Sequence, residues 1–467
     1  MPTAAPGRWF TREWFQQAFE NPLIRGGLTI GLGIVLGNLI GFVRVAVTAY
    51  LLGTHSLADT LAVAIGPIDT VNSVLINTMI FAFVPMLTRQ QGRERAVLLR
   101  RASQLFVPIF VALTGSIIIF APLLIRVLGP GLDPAYVPAA VNVLRITAIS
   151  TLTAGVAALY SVLLFIERRF GPTAFYQASL NLFTVVSALL LWRVLGIYAF
   201  AVGYTAGSCV QLAVVYFASR SSWRALLADQ SEVDAANEVV GHETAELLAK
   251  PGAFLVYAGL LAMNVLVTRA FATQAGTGMA AAFDYCMRCV NVVIAYLVSP
   301  VSNTLLPEIA RLRSERRGAE AVRLMERTIG IAGALAIASL LAGIVLREPL
   351  IALLFQRGNF TAQSTELVSA VFLGFAPSLV GLSLLELMSR SMFAMDRRRL
   401  PVLVAAIPVT VNLALSEALR VFWPGLAARP EFIAGGASAG LLVAFVTLFV
   451  VNHQTRGELA VEARAVR

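Results

Sequence analysis

The chain has 467 residues, of which 58% are hydrophobic and 13% are charged, and its mean hydropathy is +0.78. Soluble globular proteins carry about 25% charged residues, so this chain has about half the charge that a water-exposed surface needs. Its three cysteines exclude a disulfide-rich scaffold, and its high apolar content excludes a disordered chain. The composition therefore indicates a polytopic membrane protein with helical spans.

Residues 1–26 precede the first apolar run and form a predicted N-terminal segment. Aromatic side chains stand among charged ones there, at Trp9, Trp14 and Phe19 for example. This pattern is typical of an amphipathic helix in the membrane interface, with a disordered start as the alternative. The segment lacks the short apolar core and small-residue cleavage site of a signal peptide.

Twelve apolar windows follow, each close to the roughly 20 residues that cross the hydrocarbon core of a bilayer. We predict transmembrane helices at 27–52, 60–86, 104–128, 137–165, 172–194, 196–219, 251–275, 280–306, 328–351, 363–393, 401–423 and 432–452. Turns rich in glycine and proline separate several of them. The predicted fold class is an all-α polytopic membrane protein with about twelve transmembrane helices.

Basic residues fall mainly in alternate connections between these windows. Of the 36 basic residues, 25 lie in the N-terminal segment, the even-numbered connections and the C-terminal tail, whereas four lie in the odd-numbered connections. Cytoplasmic loops carry the excess of arginine and lysine in membrane proteins. Both termini are therefore predicted to be cytoplasmic, which requires an even number of spans.

Short motifs recur in the same order in the two halves of the chain. The recurring pairs are Pro122 and Pro349, Gly131 and Gly358, Glu167 and Asp396, and Asn181 and Asn412. Their offsets lie between 227 and 231 residues, which indicates an internal duplication of a six-helix unit. Because the unit has an even number of spans, both halves enter the membrane in the same direction and form a parallel repeat.

The duplication predicts the domain organisation. An N-terminal six-helix lobe at 27–219 precedes a charged cytoplasmic linker at 220–250, and a C-terminal six-helix lobe at 251–453 precedes a cytoplasmic tail at 454–467. Substrate sites of transporters with parallel repeats lie between the halves, near the membrane midplane. We therefore expect a cavity between the lobes.

Seven arginines remain inside the predicted spans or at their edges. They are Arg44, Arg126, Arg145, Arg269, Arg288, Arg390 and Arg420. A charged side chain at the bilayer centre costs at least about 2.5–3.5 kcal/mol on insertion scales, so such residues usually face a bundle interior or a water-filled cavity. Each one therefore needs either a neutralising partner or a functional reason.

Local spacing supplies a partner for some of these arginines. Arg390 follows Glu386 by four residues and Arg420 follows Glu417 by three, so ion pairs on one helix face are expected. Arg126 lies near a span end, as Arg420 does, from which its side chain reaches the membrane surface.

Four arginines are candidates for substrate binding: Arg44, Arg145, Arg269 and Arg288. The first three have no acid at helical spacing, whereas Arg288 follows Asp284 by four residues, which leaves its role open between an ion pair and a ligand. In the predicted orientation all four lie toward the outer half of the membrane. Converging guanidinium groups suit a phosphate or diphosphate, which they bind bidentately, and a purely structural role is the alternative.

Three acids, Asp59, Asp69 and Glu386, are candidates to offset these charges or to bind a coupling cation. Cys286 and Cys289 have the spacing of a redox motif, but on an apolar helix this spacing is more typical of two small packing residues. The sequence contains no ATP-binding loop, zinc-protease motif or nucleophile elbow. We therefore expect no catalytic residue, metal site or cofactor, and we expect transport driven by a gradient or by substrate concentration.

Residues 41–59 contain the motifs Gly41-Phe42-Val43-Arg44, Leu52-Gly53 and Ala58-Asp59. This stretch resembles the first hairpin of the MurJ/MviN-type lipid II flippase family of the MOP exporter superfamily. Residues 81–87 resemble the end of its second span, and 353–361 (LLFQRGNFT) are similar to its most recognisable external loop. Residues 303–307 and 393–401 match as well, so that the resemblance covers roughly 30–420.

The resemblance implies a two-lobed bundle that alternates between inward-open and outward-open states in the bacterial inner membrane. It implies that the chain moves an undecaprenyl-diphosphate-linked saccharide to the outer leaflet, with the lipid bilayer and other cell-envelope biosynthesis proteins as partners. The positions that match the essential cavity charges of the family are Arg44, Asp59 and Arg288.

The chain departs from the family pattern at several positions. Asn38 stands where the family usually has an arginine, Val71 and Asn72 stand in place of paired arginines, and Ile76 and Asn77 replace a Glu-Gly pair. The family also usually has two further C-terminal helices. These departures leave the substrate open between lipid II and a related exopolysaccharide precursor.

Two other functions remain open at this point. A cation-coupled exporter of small molecules or drugs from the same superfamily would have a cavity dominated by acids, whereas arginines outnumber acids here. A transport-inactive membrane scaffold would have kept the fold and lost the substrate site.

Overall fold

The computed structural model describes residues 22–89, 92–169, 171–174, 176–227, 241–298, 305, 308–309, 311–312, 315, 317–394, 397 and 399–465. The described chain is helical throughout and contains no strand, which confirms the predicted all-α fold. The predicted interfacial helix within 1–26 lies almost wholly outside the described residues. The middle of the predicted linker and Asp396, the residue paired with Glu167 in the internal duplication, also lie outside the described residues.

Seven main helices form the first half of the chain. They are α1 (Pro22–Leu52), α2 (Ser56–Arg89), α3 (Gly92–Ile119), α4 (Ala121–Leu128), α5 (Val137–Ile166), α6 (Tyr176–Leu195) and α7 (Tyr198–Leu227). The third predicted span consists of α3 and α4, because the helix breaks at Phe120. Pro122 then lies in the first turn of α4, where its missing N–H costs no helical hydrogen bond.

Seven further helices form the second half. They are α8 (Gly241–Ala275), α9 (Met279–Val293), α10 (Gly318–Phe355), α11 (Ala362–Phe375), α12 (Ser378–Ala394), α13 (Ala406–Phe422) and α14 (Gly435–Ala465). A short π-helical turn, Ile294–Val298, continues α9. Helices α11 and α12 are bent by 44° at a break that contains Pro377, which cannot donate a backbone hydrogen bond.

The described residues contain 11 helices long and apolar enough to cross a membrane, or up to 12 when the bent pair of α11 and α12 is one span. This number agrees with the twelve predicted spans. Large aliphatic side chains also cover the outside of the protein: Val194 is 82% exposed and Val345 is 75% exposed. Such a surface is stable against lipid rather than water, so the structure supports a multi-pass membrane protein.

The described chain packs as two compact units. One comprises Met1–Arg44, Leu75–Thr114 and Ile149–Leu247, and the other comprises Val45–Val74, Gly115–Ala148 and Leu248–Arg467. The second unit thus contains the tips of the first two hairpins together with α8 to α14. Because this division follows packing within a single state, the predicted lobe boundaries at 27–219 and 251–453 stay predictions.

Each unit has an apolar core of its own. In the first unit, the rings of Phe83 and Phe106 meet edge to face with centroids 5.5 Å apart, and Phe110 continues the stack. In the second unit, the fully buried Leu385 and Met388 of α12 belong to a cluster that includes Leu448 of α14.

Two buried asparagines support the internal duplication. Asn181 of α6, the fifth span, donates its Nδ2 to the carbonyl oxygen of Gly37 in α1, the first span, at 3.2 Å. Asn412 of α13, the eleventh span, donates in the same way to the carbonyl oxygen of Asn264 in α8, the seventh span, also at 3.2 Å. Each half therefore joins its fifth helix to its first by an equivalent bond.

The connection between α9 and α10 carries a network of exposed ion pairs. Arg311 donates to Glu315 at 2.7 Å and also binds Glu308, and Arg317 joins Glu315 to Glu320. The hydrogen bond from Arg311 lowers the pKa of Glu308 below its usual value. Exposed pairs of this kind stabilise a fold little, so the network marks this connection as a water-facing segment.

Candidate functional site

Arg269 is the most deeply buried of the predicted site arginines. It lies near the end of α8, with only 3% of its side chain exposed, and its Nε and Nη2 both donate to Oδ1 of Asp284 in α9, at 3.1 and 2.7 Å. The Asp284 side chain is 28% exposed. The sequence has no acid at helical spacing from Arg269. Its partner lies on the next helix, 15 residues further along the chain. Arg269 is thus a charge-paired cation in this state.

Gly66 of α2 lies directly against the guanidinium group of Arg269. A Cβ atom added to Gly66 would lie 2.5 Å from Cζ of Arg269 and 2.6 Å from both terminal nitrogens. Real Cβ atoms essentially never approach other heavy atoms this closely, so a side chain at position 66 would force the guanidinium end of Arg269 or the backbone of α2 to shift. The backbone of α2 at Gly66 therefore lies against the same guanidinium group that binds Asp284.

Asp59 caps the N-terminus of α9 from a distant part of the chain. Its Oδ2 accepts a hydrogen bond from the N–H of Gly278 at 2.5 Å, and its Oδ1 accepts one from the N–H of Ala281 at 2.9 Å. The first N–H groups of a helix have no partner within the helix and carry partial positive charge, so a carboxylate is a favourable cap. The predicted cavity acid thus joins the start of α2 to the start of α9.

Replacing Asp59 by alanine is expected to destabilise this contact by about 0.5–2 kcal/mol, the usual cost of losing a helix cap. The amide protons of Gly278 and Ala281 then exchange faster with solvent deuterium, and peptide-resolved exchange in detergent micelles measures this. Asp133→Ala is the control, since the Asp133 carboxylate accepts a bond from the N–H of the nearby Ala135 in an exposed turn. Unchanged exchange at 278–281 in Asp59→Ala would contradict the capping role.

Close backbone contacts surround Asp59 at the tip of the α1–α2 hairpin. Asn359, in the loop motif of residues 353–361, makes two hydrogen bonds to this tip. Its N–H donates to the carbonyl oxygen of Tyr50 at 2.9 Å, and its Nδ2 donates to that of Leu51 at 2.7 Å. The hydroxyl of Tyr285 donates to the carbonyl oxygen of Gly53 at 2.7 Å. The most recognisable motif of the sequence is therefore a docking surface for the first hairpin.

Hydroxyl groups and glycines complete this docked arrangement. The Oγ1 atom of Thr54 and the Oγ atom of Ser364 in α11 are 2.9 Å apart. At the tip of the next hairpin, the N–H of Gly131 donates to Oγ1 of Thr273 in α8 at 3.2 Å, and a Cβ atom there would lie 2.1 Å from the carbonyl oxygen of Thr273. We call the contacts of 50–59 and 129–131 with α8, α9, α11 and residues 356–360 the hairpin seal.

The structure places the other predicted site residues individually. Arg288 is half-buried on α9, one turn after Asp284, and Asp69 is half-buried on α2, one turn after Gly66. Arg44 is half-buried in α1, at the end of the first segment of the first unit. Their roles as substrate-binding or ion-coupling residues stay predictions.

Arg145 has a different environment from Arg269. It is exposed, and its Nε donates to the carbonyl oxygen of Ile118 at the end of α3, at 3.3 Å. The structure thus gives Arg145 a tie between two helices, and its expected part in a phosphate-binding cavity stays a prediction.

The two ion pairs predicted from helical spacing are present. Arg390 binds Glu386 within α12, and Arg420 binds Glu417 within α13 at 2.8 Å. Glu386, proposed from sequence as a cavity acid, therefore has a cation partner on its own helix. Arg126 is exposed near the end of α4, as expected for an arginine that reaches the membrane surface.

One polar cluster was missed by the sequence reasoning. Asn412 of α13 donates to Oδ1 of Asn264 at 2.9 Å and to Oγ1 of Thr268 at 2.8 Å, and all three side chains are buried. The sequence marked Asn412 only as a sign of duplication, because neutral amides carry no charge signal. The cluster holds α13 against α8, the helix that also carries Arg269.

In the part of the chain that the structure describes, no group of three or more His, Cys, Asp or Glu side chains could hold a metal ion. Cys286 and Cys289 are both free thiols, and Cys286 is fully buried with its Sγ 3.2 Å from the carbonyl oxygen of Val368. This contact agrees with the packing interpretation of the two cysteines.

Sequence comparison places these features in a known family. The family described as lipid II flippase MurJ matches residues 48–459. A probable lipid II flippase MurJ of Rhizobium meliloti (strain 1021) is 28% identical over 456 residues, which cover 93% of this chain and 82% of the relative. The lipid II flippase MurJ of Burkholderia cenocepacia is 24% identical, covering 91% of this chain and 84% of the relative.

Solved structures share the fold. A lipid II flippase MurJ in an inward closed conformation superposes with a TM-score of 0.75 at 18% identity, covering 91% of this chain and 87% of the other. A multidrug resistance MATE family transporter of the MOP superfamily in an inward-facing conformation gives a TM-score of 0.74 at 14% identity, covering 91% and 95%. At these identities the likeness concerns the fold alone.

Proposed function

The chain belongs to the lipid II flippase MurJ family, and we propose that it moves a polyprenyl-diphosphate-linked saccharide from the inner to the outer leaflet of the bacterial cytoplasmic membrane. The family match over residues 48–459 carries this proposal. The molecule is accordingly a multi-pass membrane transporter rather than a catalytic enzyme, and its substrate and the bilayer are its expected partners.

The hairpin seal supplies the gate that such a transporter needs. In the orientation predicted from the arginine distribution, the tips of the α1–α2 and α3–α5 hairpins face the outer side and both termini face the cytoplasm. The seal then closes the outer side in this state, and the lipid-linked headgroup enters from the inner side. Each hydrogen bond of the seal contributes only about 1 kcal/mol net, so the gate opens without a large barrier from any single contact.

The arginines of the second unit supply the charge for a diphosphate. Arg288 lies one turn from Asp284 on α9 and is half-buried. A guanidinium group binds phosphate oxygens through two parallel hydrogen bonds, whereas a neutral sugar gains little from it. We therefore propose that Arg288 binds the diphosphate and that uncharged polar groups bind the saccharide.

Expression of this chain is expected to sustain growth of a bacterium depleted of its own lipid II flippase, and Arg288→Ala is expected to abolish that rescue. Loss of one bidentate contact removes the main attraction for the diphosphate. The measurement is colony formation after depletion, together with the amount of lipid II that remains in the inner leaflet. Arg126→Ala is the matched control, because Arg126 is an exposed arginine at a helix end.

Two results would decide against parts of this proposal. Rescue by both the unaltered chain and Arg288→Ala would rule out the assigned role of Arg288. Failure of the unaltered chain to rescue, together with loss of a surface polysaccharide from a deletion strain, would move the substrate from lipid II to an exopolysaccharide precursor. The departures at Asn38, Val71 and Asn72 make this second substrate a specific alternative.

A cation-coupled drug exporter has weaker support. The MATE structures that share the fold are 13–14% identical to this chain, and a likeness at that level shows the fold alone. Of the candidate coupling acids, Asp59 caps α9 and Glu386 binds Arg390 in this state. Coupling to a monovalent cation through these acids or Asp69 stays a proposal, tested by the dependence of transport on a sodium or proton gradient.

A further inference from the structure

We propose that Arg269 is a diphosphate ligand of the outward-open state alone, which the docked α1–α2 hairpin keeps occluded, and that Gly66 is the positioning residue of this switch. The inference rests on the proposed flippase function. It adds a second phosphate-binding arginine that works only after the hairpin seal has opened.

The first step of the argument is the occlusion of Arg269. Its side chain is 3% exposed, Asp284 occupies one edge of the guanidinium group, and the backbone at Gly66 lies against the group. A phosphate group has no path to this side chain while α2 is docked. Arg269 therefore does not bind substrate in the state that the structure shows.

The second step is an unused hydrogen-bond donor. Among the described residues, Nη1 of Arg269 is buried and has no hydrogen-bond partner. Buried polar atoms in proteins nearly always have one, and an exception needs an explanation such as a functional role or a bound ion. Since Asp284 already takes Nε and Nη2, the remaining donor edge is available for an oxygen that arrives when α2 leaves.

The third step couples the occlusion to the seal. Gly66 follows Asp59 by seven residues on α2, which is close to two helical turns and places both on one face. Asp59 holds the start of α9 through two backbone bonds, and Gly66 covers Arg269 on the same side. A movement that frees Asp59 from α9 therefore uncovers Arg269 as well.

The fourth step concerns the charge of the incoming group. Asp284 is 28% exposed, binds Arg269 of α8, and precedes Arg288 by one turn on α9. The Asp284 carboxylate therefore neutralises the Arg269 guanidinium group while that group is covered. A diphosphate offers more acceptor oxygens than one carboxylate and binds guanidinium groups bidentately, so it competes for Arg269 once water and substrate reach the site.

The coupling is tested by Gly66→Ala, with Gly259→Ala on α8 as the matched control because a Cβ atom there meets open space. The added methyl group overlaps the guanidinium group, which Asp284 holds through two hydrogen bonds, so we expect α2 rather than Arg269 to move away. We expect hydrogen exchange of the amides at Gly278 and Ala281 to become at least tenfold faster in Gly66→Ala and to stay unchanged in Gly259→Ala. The double variant Gly66→Ala/Arg269→Ala removes the overlap and is expected to recover most of the protection.

Diphosphate binding is tested with undecaprenyl diphosphate as the probe, which has no sugar. A Thr54→Cys/Ser364→Cys pair, in a chain with the exposed Cys209 replaced by serine, holds the seal closed when oxidised, since the two native hydroxyl oxygens are 2.9 Å apart. We expect Arg269→Ala to weaken binding about tenfold in the reduced protein and to leave it unchanged in the oxidised protein.

Several outcomes would overturn the inference. Equal weakening in both redox forms, or none in the reduced form, removes the state-dependent role of Arg269. Equal exchange rates in Gly66→Ala and Gly259→Ala remove the coupling through Gly66. These results leave growth rescue by the unaltered chain intact, whereas a chain that binds no undecaprenyl diphosphate and rescues no growth fails as a flippase of diphosphate lipids.

Discussion

Replacing Asp284 by alanine is expected to lower the free energy of unfolding by about 3–5 kcal/mol, the cost of removing one partner from a buried ion pair. The change leaves Arg269 with its side chain 3% exposed and without the carboxylate that accepts two of its donors. Heat or denaturant unfolding of the purified protein in detergent measures the loss.

The matched control is Glu417→Ala, which breaks the Arg420–Glu417 pair on α13. That pair has the same geometry at 2.8 Å, but its side chains are 54% and 42% exposed, so its loss is expected to cost about 0–1 kcal/mol. A double variant, Asp284→Ala/Arg269→Met, removes both charges and is expected to recover part of the lost stability. Equal costs for Asp284→Ala and Glu417→Ala would show that Arg269 is not effectively buried in the membrane.

Gly53→Ala is expected to abolish transport by opening the hairpin seal. Gly53 has a φ of +57°, and a Cβ atom there would lie 2.3 Å from the carbonyl oxygen of Asn359. Alanine therefore adds a collision between two backbones to the cost of a left-handed residue, which is about 1–2 kcal/mol. The measurement is growth rescue after flippase depletion, combined with hydrogen exchange at Gly278 and Ala281.

Gly196→Ala separates these two effects. Gly196, between α6 and α7, has a nearly identical φ of +54°, but a Cβ atom there meets no heavy atom within 4 Å. The two variants thus share the backbone strain, but Gly53→Ala also brings a Cβ atom against the backbone of Asn359 and, at 3.1 Å, against Nδ1 of His55. We expect Gly196→Ala to retain growth rescue, and a loss of rescue in both variants would mean that backbone strain rather than the seal accounts for Gly53.

Some tertiary contacts were within reach of the sequence because they are local. The pairs Glu386–Arg390 and Glu417–Arg420 follow from a spacing of four and three residues on one helix, and both are present. The spans themselves follow from the length of apolar runs, since a bilayer demands about 20 apolar residues of every crossing helix. Neither inference needs any knowledge of which helices are neighbours.

Other contacts were out of reach for a physical reason. Arg269 looked unpaired because its acid, Asp284, lies on the next helix. The capping contact of Asp59 was hidden because its partners, Gly278 and Ala281, are more than 200 residues away. Spacing along one helix cannot report on a contact between helices. The resemblance identified Asp59 as important without indicating that it caps a helix.

The sequence by itself determined that this protein is an all-α membrane protein of about twelve spans, and its motifs pointed to the family that comparison confirmed. Hydropathy and charge act residue by residue against the bilayer, so they can be read without a structure. Only the tertiary structure decided which charges are paired and which backbones touch. Gly66 shows the difference: in the sequence it is one of 35 glycines, and its meaning depends on a guanidinium group that another helix places against it.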